Sequence, residues 1–146
     1  KAARKAKLTL CSGGILGLGE SKRDRLEMLL TLSRMQPHPE SIPINTLVPV
    51  PGTPLEKQQE VSTWELVRMI AITRIACPSS YVRLSAGRER RSESDQALCF
   101  LAGANSIFSG EKLLTVSNVG VDRDEKLFAN LGLVPQELKE SQRAHA

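Results

Sequence analysis

Four times along this chain a short apolar segment is followed by a stretch of helical periodicity, and this alternation constrains the fold more than any other feature. Leu8 and Leu10 alternate with Thr9 and Cys11, which predicts a short strand over 7–11 ending at a run of glycines. Ser21 can cap a helix whose inner stripe is Leu26, Leu29, Leu30 and Ser33, until Pro37 and Pro39 end it. A second strand is expected over 42–48, with Ile42, Ile44 and Thr46 on one face and Pro43, Asn45 and Leu47 on the other. Ser62 and Glu65 have capping-box spacing, and Val67, Ile70, Ala71 and Arg74 continue a helix that Pro78 closes. A third strand covers 81–86, with Val82, Leu84 and Ala86 opposed to Tyr81, Arg83 and Ser85. A helix over 94–102 then leads to a fourth strand over 105–108. A loop through Gly110 and Asn118 precedes a last helix, opened by Asp122 with Glu125 at capping-box distance and closed by Gly132. Residues 136–146 read as a frayed polar tail.

Four strand-helix units with short connections predict an α/β fold with a parallel sheet. With aromatics at 3% the core must come from Leu, Ile, Val and Ala, which suits helix-covered parallel strands. Two architectures fit: an open doubly wound sheet, or the second half of a (β/α)8 TIM-type barrel. Arg83, set on the pleat between apolar neighbours, favours the half barrel, where a lumen near the C-terminal mouth accepts a polar side chain. Lys1 to Ala6 resemble the charged last turn of a helix and carry no initiating Met, so the expectation is one partial domain over 1–146.

The net charge of +4 sits mainly in the first seven residues and in Arg88 to Arg91. With few aromatics interleaved, these cations read as solvated or as facing a substrate anion, and nucleic acid is not an expected partner. Cys11, Cys77 and Cys99 show no C-x-x-C spacing, which points to a reducing, cytoplasmic compartment. Neither a membrane-length apolar run nor the h-region of a signal peptide is present.

Cys11, Asn45 and Arg83 are expected on the helix-free face near the ends of successive strands, forming one pocket wall. Each has a bland alternative: Cys11 as a small buried hydrophobe, Asn45 as a clamp on a loop carbonyl. Arg83 resists such a reading, because a guanidinium in a lumen needs an anion or a ligand. A thiolate with a nearby cation is compatible with an iron-sulfur cluster, although two residues do not specify one. Gly17-Leu18-Gly19-Glu20-Ser21-Lys22 lacks the last glycine of G-x-G-x-x-G, and no G-K-S/T follows. Cys77 and Cys99 read as packing residues. His38 and His145 lack the setting of a base or ligand, and Ser12 lacks a hydrolase context.

The blocks Cys11-Ser12-Gly13-Gly14-Ile15-Leu16-Gly17-Leu18-Gly19-Glu20, Pro43-Ile44-Asn45, Tyr81-Val82-Arg83-Leu84-Ser85-Ala86-Gly87-Arg88-Glu89, Ala102-Gly103-Ala104-Asn105-Ser106-Ile107-Phe108 and Lys112-Leu113-Leu114-Thr115 resemble, in order and spacing, the C-terminal half of the biotin synthase family. The resemblance implies a radical S-adenosylmethionine (SAM) enzyme with a (β/α)8 barrel. Such an enzyme converts dethiobiotin to biotin by reductive SAM cleavage, hydrogen abstraction by a 5′-deoxyadenosyl radical and sulfur insertion. By the resemblance Cys11 and Arg83 are ligands of a 2Fe-2S cluster. Gly13, Ile15, Gly17 and Glu20 form the G-x-I-x-G-x-x-E element beside SAM, with Val48 nearby. Asn45 and Thr115 contact dethiobiotin, and Val116 stands where the family has a second threonine.

The family's C-x-x-x-C-x-x-C loop for the 4Fe-4S cluster has no counterpart in these 146 residues. The resemblance therefore implies an inactive isolated chain, a reducing electron donor as partner, a homodimer for the whole enzyme, and a mitochondrial setting if the source is eukaryotic. The alternative from a different class is a non-catalytic half barrel that dimerises to cover its sheet edges and binds a nucleotide at the glycine loop.

Overall fold

The computed structural model describes residues 2–109, 112–113, 116–117 and 120–136. A single helical turn, α1 (Ala2–Lys5), precedes β1 (Gly14–Leu16), α2 (Lys22–Ser33), β2 (Ser41–Thr46), α3 (Thr63–Ala76) and β3 (Tyr81–Leu84). One turn of 3₁₀ helix (Arg88–Arg90) leads to α4 (Glu93–Leu101) and β4 (Ser106–Ile107); a small hairpin, β5 (Lys112–Leu113) and β6 (Val116–Ser117), precedes α5 (Val121–Leu131). The hairpin occupies ground expected to be a loop. The expected tail lies outside the described residues apart from Gln136.

All four strands of the main sheet are parallel, in the order β1-β2-β3-β4. The order never reverses, so the sheet is singly wound, whereas a doubly wound sheet needs a reversal with helices on both faces. Helices cover one face. Leu29 and Leu32 of α2, Leu66, Met69 and Ile70 of α3, and Cys99 of α4 pack on Leu16, Ile42, Ile44, Val82 and Leu84. Each strand contributes alternate residues to that layer, as the pleat requires.

The helix caps follow the sequence in most places. Ser21 Oγ accepts from the Asp24 amide, and the Asp24 carboxylate accepts from the Ser21 amide, which closes a capping box on α2. Ser62 Oγ accepts from the Glu65 amide, but the Glu65 carboxylate turns to Lys22 and Arg68, so that box is half made. Ser92 caps α4, which starts at Glu93, one residue before the expected start at Ser94. Gly120, not Asp122, precedes α5, and Gly132 closes it with φ 66°.

Two helix stripes differ from expectation. Leu26 and Leu30 of α2 are exposed while Leu32 is buried, and α3 buries Leu66, Met69 and Thr73 beside Ile70. Leucines and isoleucines fill several helical phases here, so the packed phase is set by contact with the sheet and not by periodicity alone. The first strand also moves. It forms at Gly14–Leu16 and not at 7–11, where Leu8 is exposed and Lys7 has φ 58°. Cys11 makes an isolated parallel bridge to Ser41 in the same register as β1.

Arg4 fastens the N-terminal turn to the sheet. Its guanidinium pairs with Glu40 and donates to the His38 carbonyl at 2.8 Å, while Glu40 Oε2 accepts from the Leu10 amide at 2.7 Å. These bonds hold the Glu40 carboxyl well below its usual range, at about 2, with Arg4 the largest cause.

Candidate active-site wall

Register partners in a parallel sheet share a face, so Cys11, Ser41 and Tyr81 stand on one side together with Pro43, Arg83, Ser106, Ile15 and Asn45. This is the face without helices. Ile15 is 48% exposed and Tyr81 43% exposed there, although both belong to strands. The helix-free wall expected from the alternation of β2 and β3 is therefore present.

Its vertical arrangement differs from expectation. Cys11 sits at the entrance of the ladder, opposite Ser41 and Tyr81. Arg83 lies two residues further up, and Asn45, level with Ile15, two residues beyond that. The three residues form a diagonal across the sheet and do not share a level at the strand ends. Strand spacing and rise place the Cα atoms of Cys11 and Arg83 about 12 Å apart. That gap leaves room for a small ligand between the thiol and the tip of the arginine.

Arg83 is oriented by two residues of the neighbouring edge. Its Nε donates to Ser106 Oγ at 3.0 Å, and its guanidinium carbon stands 4.5 Å from the centroid of the Phe108 ring. Neither Nη atom has a hydrogen-bond partner among the described residues, so both remain available to a ligand on the open face. Asn45 is more committed: Nδ2 donates to the Gly14 carbonyl and Oδ1 accepts from the Ala86 amide, both at 3.1 Å. The amide clamps β1 to the end of β3, keeping one N–H and one lone pair for a ligand.

The glycine stretch serves close packing and a turn. A Cβ on Gly13 would meet the Pro43 carbonyl oxygen at 2.0 Å, so only glycine lets β1 approach β2 there. Gly17 and Gly19 turn the chain with φ of 96° and 104°. Glu20 holds that turn from within. Its carboxylate accepts from the Gly17 amide at 2.8 Å, the Leu18 amide at 2.7 Å and Arg25 Nε at 2.7 Å. Burial raises its pKa, but these donors outweigh burial and the net shift is downward. A polar cleft of about 290 Å³ adjoins the turn, lined by three acidic residues, Glu20, Glu60 and Glu65, against one cation, Arg25. Such a lining does not suit a phosphate. Val48 is half-buried beyond the end of β2, and Thr115 lies outside the described residues.

Cys11 is exposed, whereas Cys77 and Cys99 are buried among apolar side chains as expected of packing residues. Burial pushes the Cys99 thiol up to about 11 and raises that of Cys77. Among the described residues no three His, Cys, Asp or Glu side chains converge as a metal site. The donor set on the open face is one thiol and one guanidinium, which suits part of an iron-sulfur cluster and not all of it.

The reading of Arg88 to Arg91 as a solvated or substrate-facing run needs correction. Arg88 is 1% exposed and meets Asp124 in a fork of two 2.7 Å bonds, while Arg91 donates to the Val61 carbonyl and to Thr63. Arg90 is half-exposed and paired with Glu60. The partner of Arg88 lies 36 residues away, so no local spacing signals it; the acidic first turn of α5 is the one hint in the sequence.

The Biotin and Thiamin Synthesis associated domain model matches residues 43–134, and the chain belongs to that family. Its relatives carry a more particular name. Biotin synthase of Cytophaga hutchinsonii is 60% identical over 134 residues, 92% of this chain and 40% of its own length. The mitochondrial biotin synthase of Arabidopsis thaliana is 58% identical over 133 residues, 91% of this chain and 35% of its own. The chain thus spans about two fifths of the length of the curated relatives it matches, a C-terminal part of them. Among solved structures, HydG, a maturase of the [FeFe]-hydrogenase, superposes with a TM-score of 0.79 at 19% identity, over 97% of this chain and 34% of its own. Methylornithine synthase (PylB) does so with 0.71 at 20% identity, over 93% and 44%. These two likenesses establish the fold. No helix among the described residues is long and apolar enough to cross a membrane.

Proposed function

We propose that this chain forms the C-terminal half of a biotin synthase barrel and supplies one wall of the site where dethiobiotin is converted to biotin. The observation that carries the reading is the exposed thiol of Cys11 on the same helix-free face as the ligand-ready guanidinium of Arg83. The names of the relatives support it.

A 2Fe-2S cluster, when bound, would supply the sulfur. Cys11 would hold it as a thiolate, and Arg83 would offset the negative charge that thiolates and sulfides accumulate. Asn45 would orient the substrate with its remaining N–H, as Thr115 would at the substrate's carboxylate. Ile15 offers an exposed apolar surface for the adenine of SAM, with Val48 close by, and Gly13, Gly17 and Glu20 shape the backbone beneath it. The ligands of the 4Fe-4S cluster that cleaves SAM belong to the rest of the enzyme, so the isolated chain is expected not to turn over.

The test fuses this chain to the N-terminal part of a relative, such as the Arabidopsis thaliana enzyme, and reconstitutes the product with iron and sulfide without oxygen. Biotin formation that disappears in Cys11→Ala, together with the visible absorbance of one cluster, is the expected result. Turnover indifferent to Cys11→Ala would overturn the assignment of the thiol. Biotin made by the unfused chain would overturn its inactivity.

A further inference from the structure

A long cationic side chain on an open sheet face is of use to a ligand only if its rotamer is fixed beforehand. Arg83 is fixed by Ser106 and Phe108, which differ in their own support. Ser106 is paired within β4, opposite Arg83 itself. Phe108 lies one residue past the last ladder pair, Leu84 with Ile107. There the Phe108 carbonyl accepts from Arg88 Nη2 at 3.3 Å.

Arg88 is in turn rigid. Gly87, with φ 88°, redirects the chain after β3 so that Arg88 turns inward. Its Nη1 and Nη2 bond to Oδ1 and Oδ2 of Asp124, and Nη1 also reaches Gln96 Oε1 at 3.1 Å. Asp124 stands 3% exposed in the first turn of α5. A buried ion pair of this kind contributes little net stability over an apolar pair of the same size, so its value lies in the geometry it imposes.

We infer that Arg88 and Asp124 are positioning residues for Arg83: the buried pair fixes Phe108 beyond the end of β4, and the Phe108 ring fixes the guanidinium. The inference rests on the reading that Arg83 faces the site of sulfur insertion. It gives α5 a part in the site through Asp124.

The test follows the Nε–H resonance of Arg83 in the ¹⁵N-arginine-labelled protein, assigned by its loss in Arg83→Lys. In the parent it is displaced by the aromatic ring and slow to exchange with water, and Phe108→Leu abolishes the displacement. Arg88→Met combined with Asp124→Leu removes both charges, leaving neither buried alone. In that variant the backbone amide of Arg83 keeps its position within β3, while its Nε–H resonance joins those of exposed arginines. An Arg83 resonance that stays in place overturns the inference. Asp124→Asn, which keeps size and one acceptor, provides a second reading: a partial return of the resonance supports the relay and none refutes it. Cluster absorbance of the fused enzyme is read separately. A double variant that frees the resonance yet keeps absorbance and turnover supports the relay while overturning the placement of Arg83 in the site.

Discussion

Gly87 packs so closely on Thr46 that a Cβ at its position would stand 2.0 Å from Thr46 Oγ1, and its φ of 88° lies in the left-handed region. Both facts serve the turn that sends Arg88 inward after β3. Gly87→Ala is expected to destabilise the protein by about 1–3 kcal/mol from backbone strain alone, with the clash in addition. Chemical denaturation of the two proteins, compared at constant m value, measures the loss.

Gly13 and Gly14 are adjacent but not equivalent. A methyl group on Gly13 would strike the Pro43 carbonyl, whereas one on Gly14 would meet the end of the flexible Met28 side chain at 2.2 Å. Gly13→Ala should therefore separate β1 from β2 and cost about 1–3 kcal/mol. Gly14→Ala should cost less, because Met28 can move aside. Equal losses in thermal unfolding would refute the distinction.

The contact between Glu40 and Arg4 gives stability a defined pH dependence. The Glu40 pKa is lowered on folding from 4.5 to about 2, so the contribution of the carboxylate is complete above pH 4.5 and fades as pH falls through about 2. The gap in melting temperature between the parent and Glu40→Gln should be constant near neutrality and close across this acid window. A gap that instead widened with acid would contradict the assignment.

The three thiols should separate by access. Cys11 is exposed while burial raises the pKa values of Cys77 and Cys99, so a disulfide reagent at pH 8 should titrate one thiol quickly in the folded protein and three after denaturation. Cys11→Ala should remove the fast phase alone.

Much of the architecture was legible in the chain. The alternation of Ile42, Ile44 and Thr46 against Pro43 and Asn45 predicted the two faces of β2, and Val82 and Leu84 against Arg83 did so for β3. The first strand was not legible in the same way. Leu8 and Leu10 carry the stronger β pattern, yet the ladder is longest at Gly14–Leu16, where the chain enters so close to the Pro43 carbonyl that Gly13 has no room for a Cβ. A propensity scale discounts glycine in strands for want of a side chain, and here that want is what the packing requires.

The sequence alone determined four strand-helix units and the face on which Cys11, Asn45 and Arg83 fall, because a period of two assigns faces without knowledge of neighbours. It also carried the resemblance that links those residues to one chemistry. Only the tertiary structure decided their levels along the sheet, the commitment of Glu20 and Asn45 to the backbone, and the burial of Arg88 against Asp124. Register, close approach and ion pairing join residues some thirty positions apart, and contacts of that range leave no periodic trace in the chain.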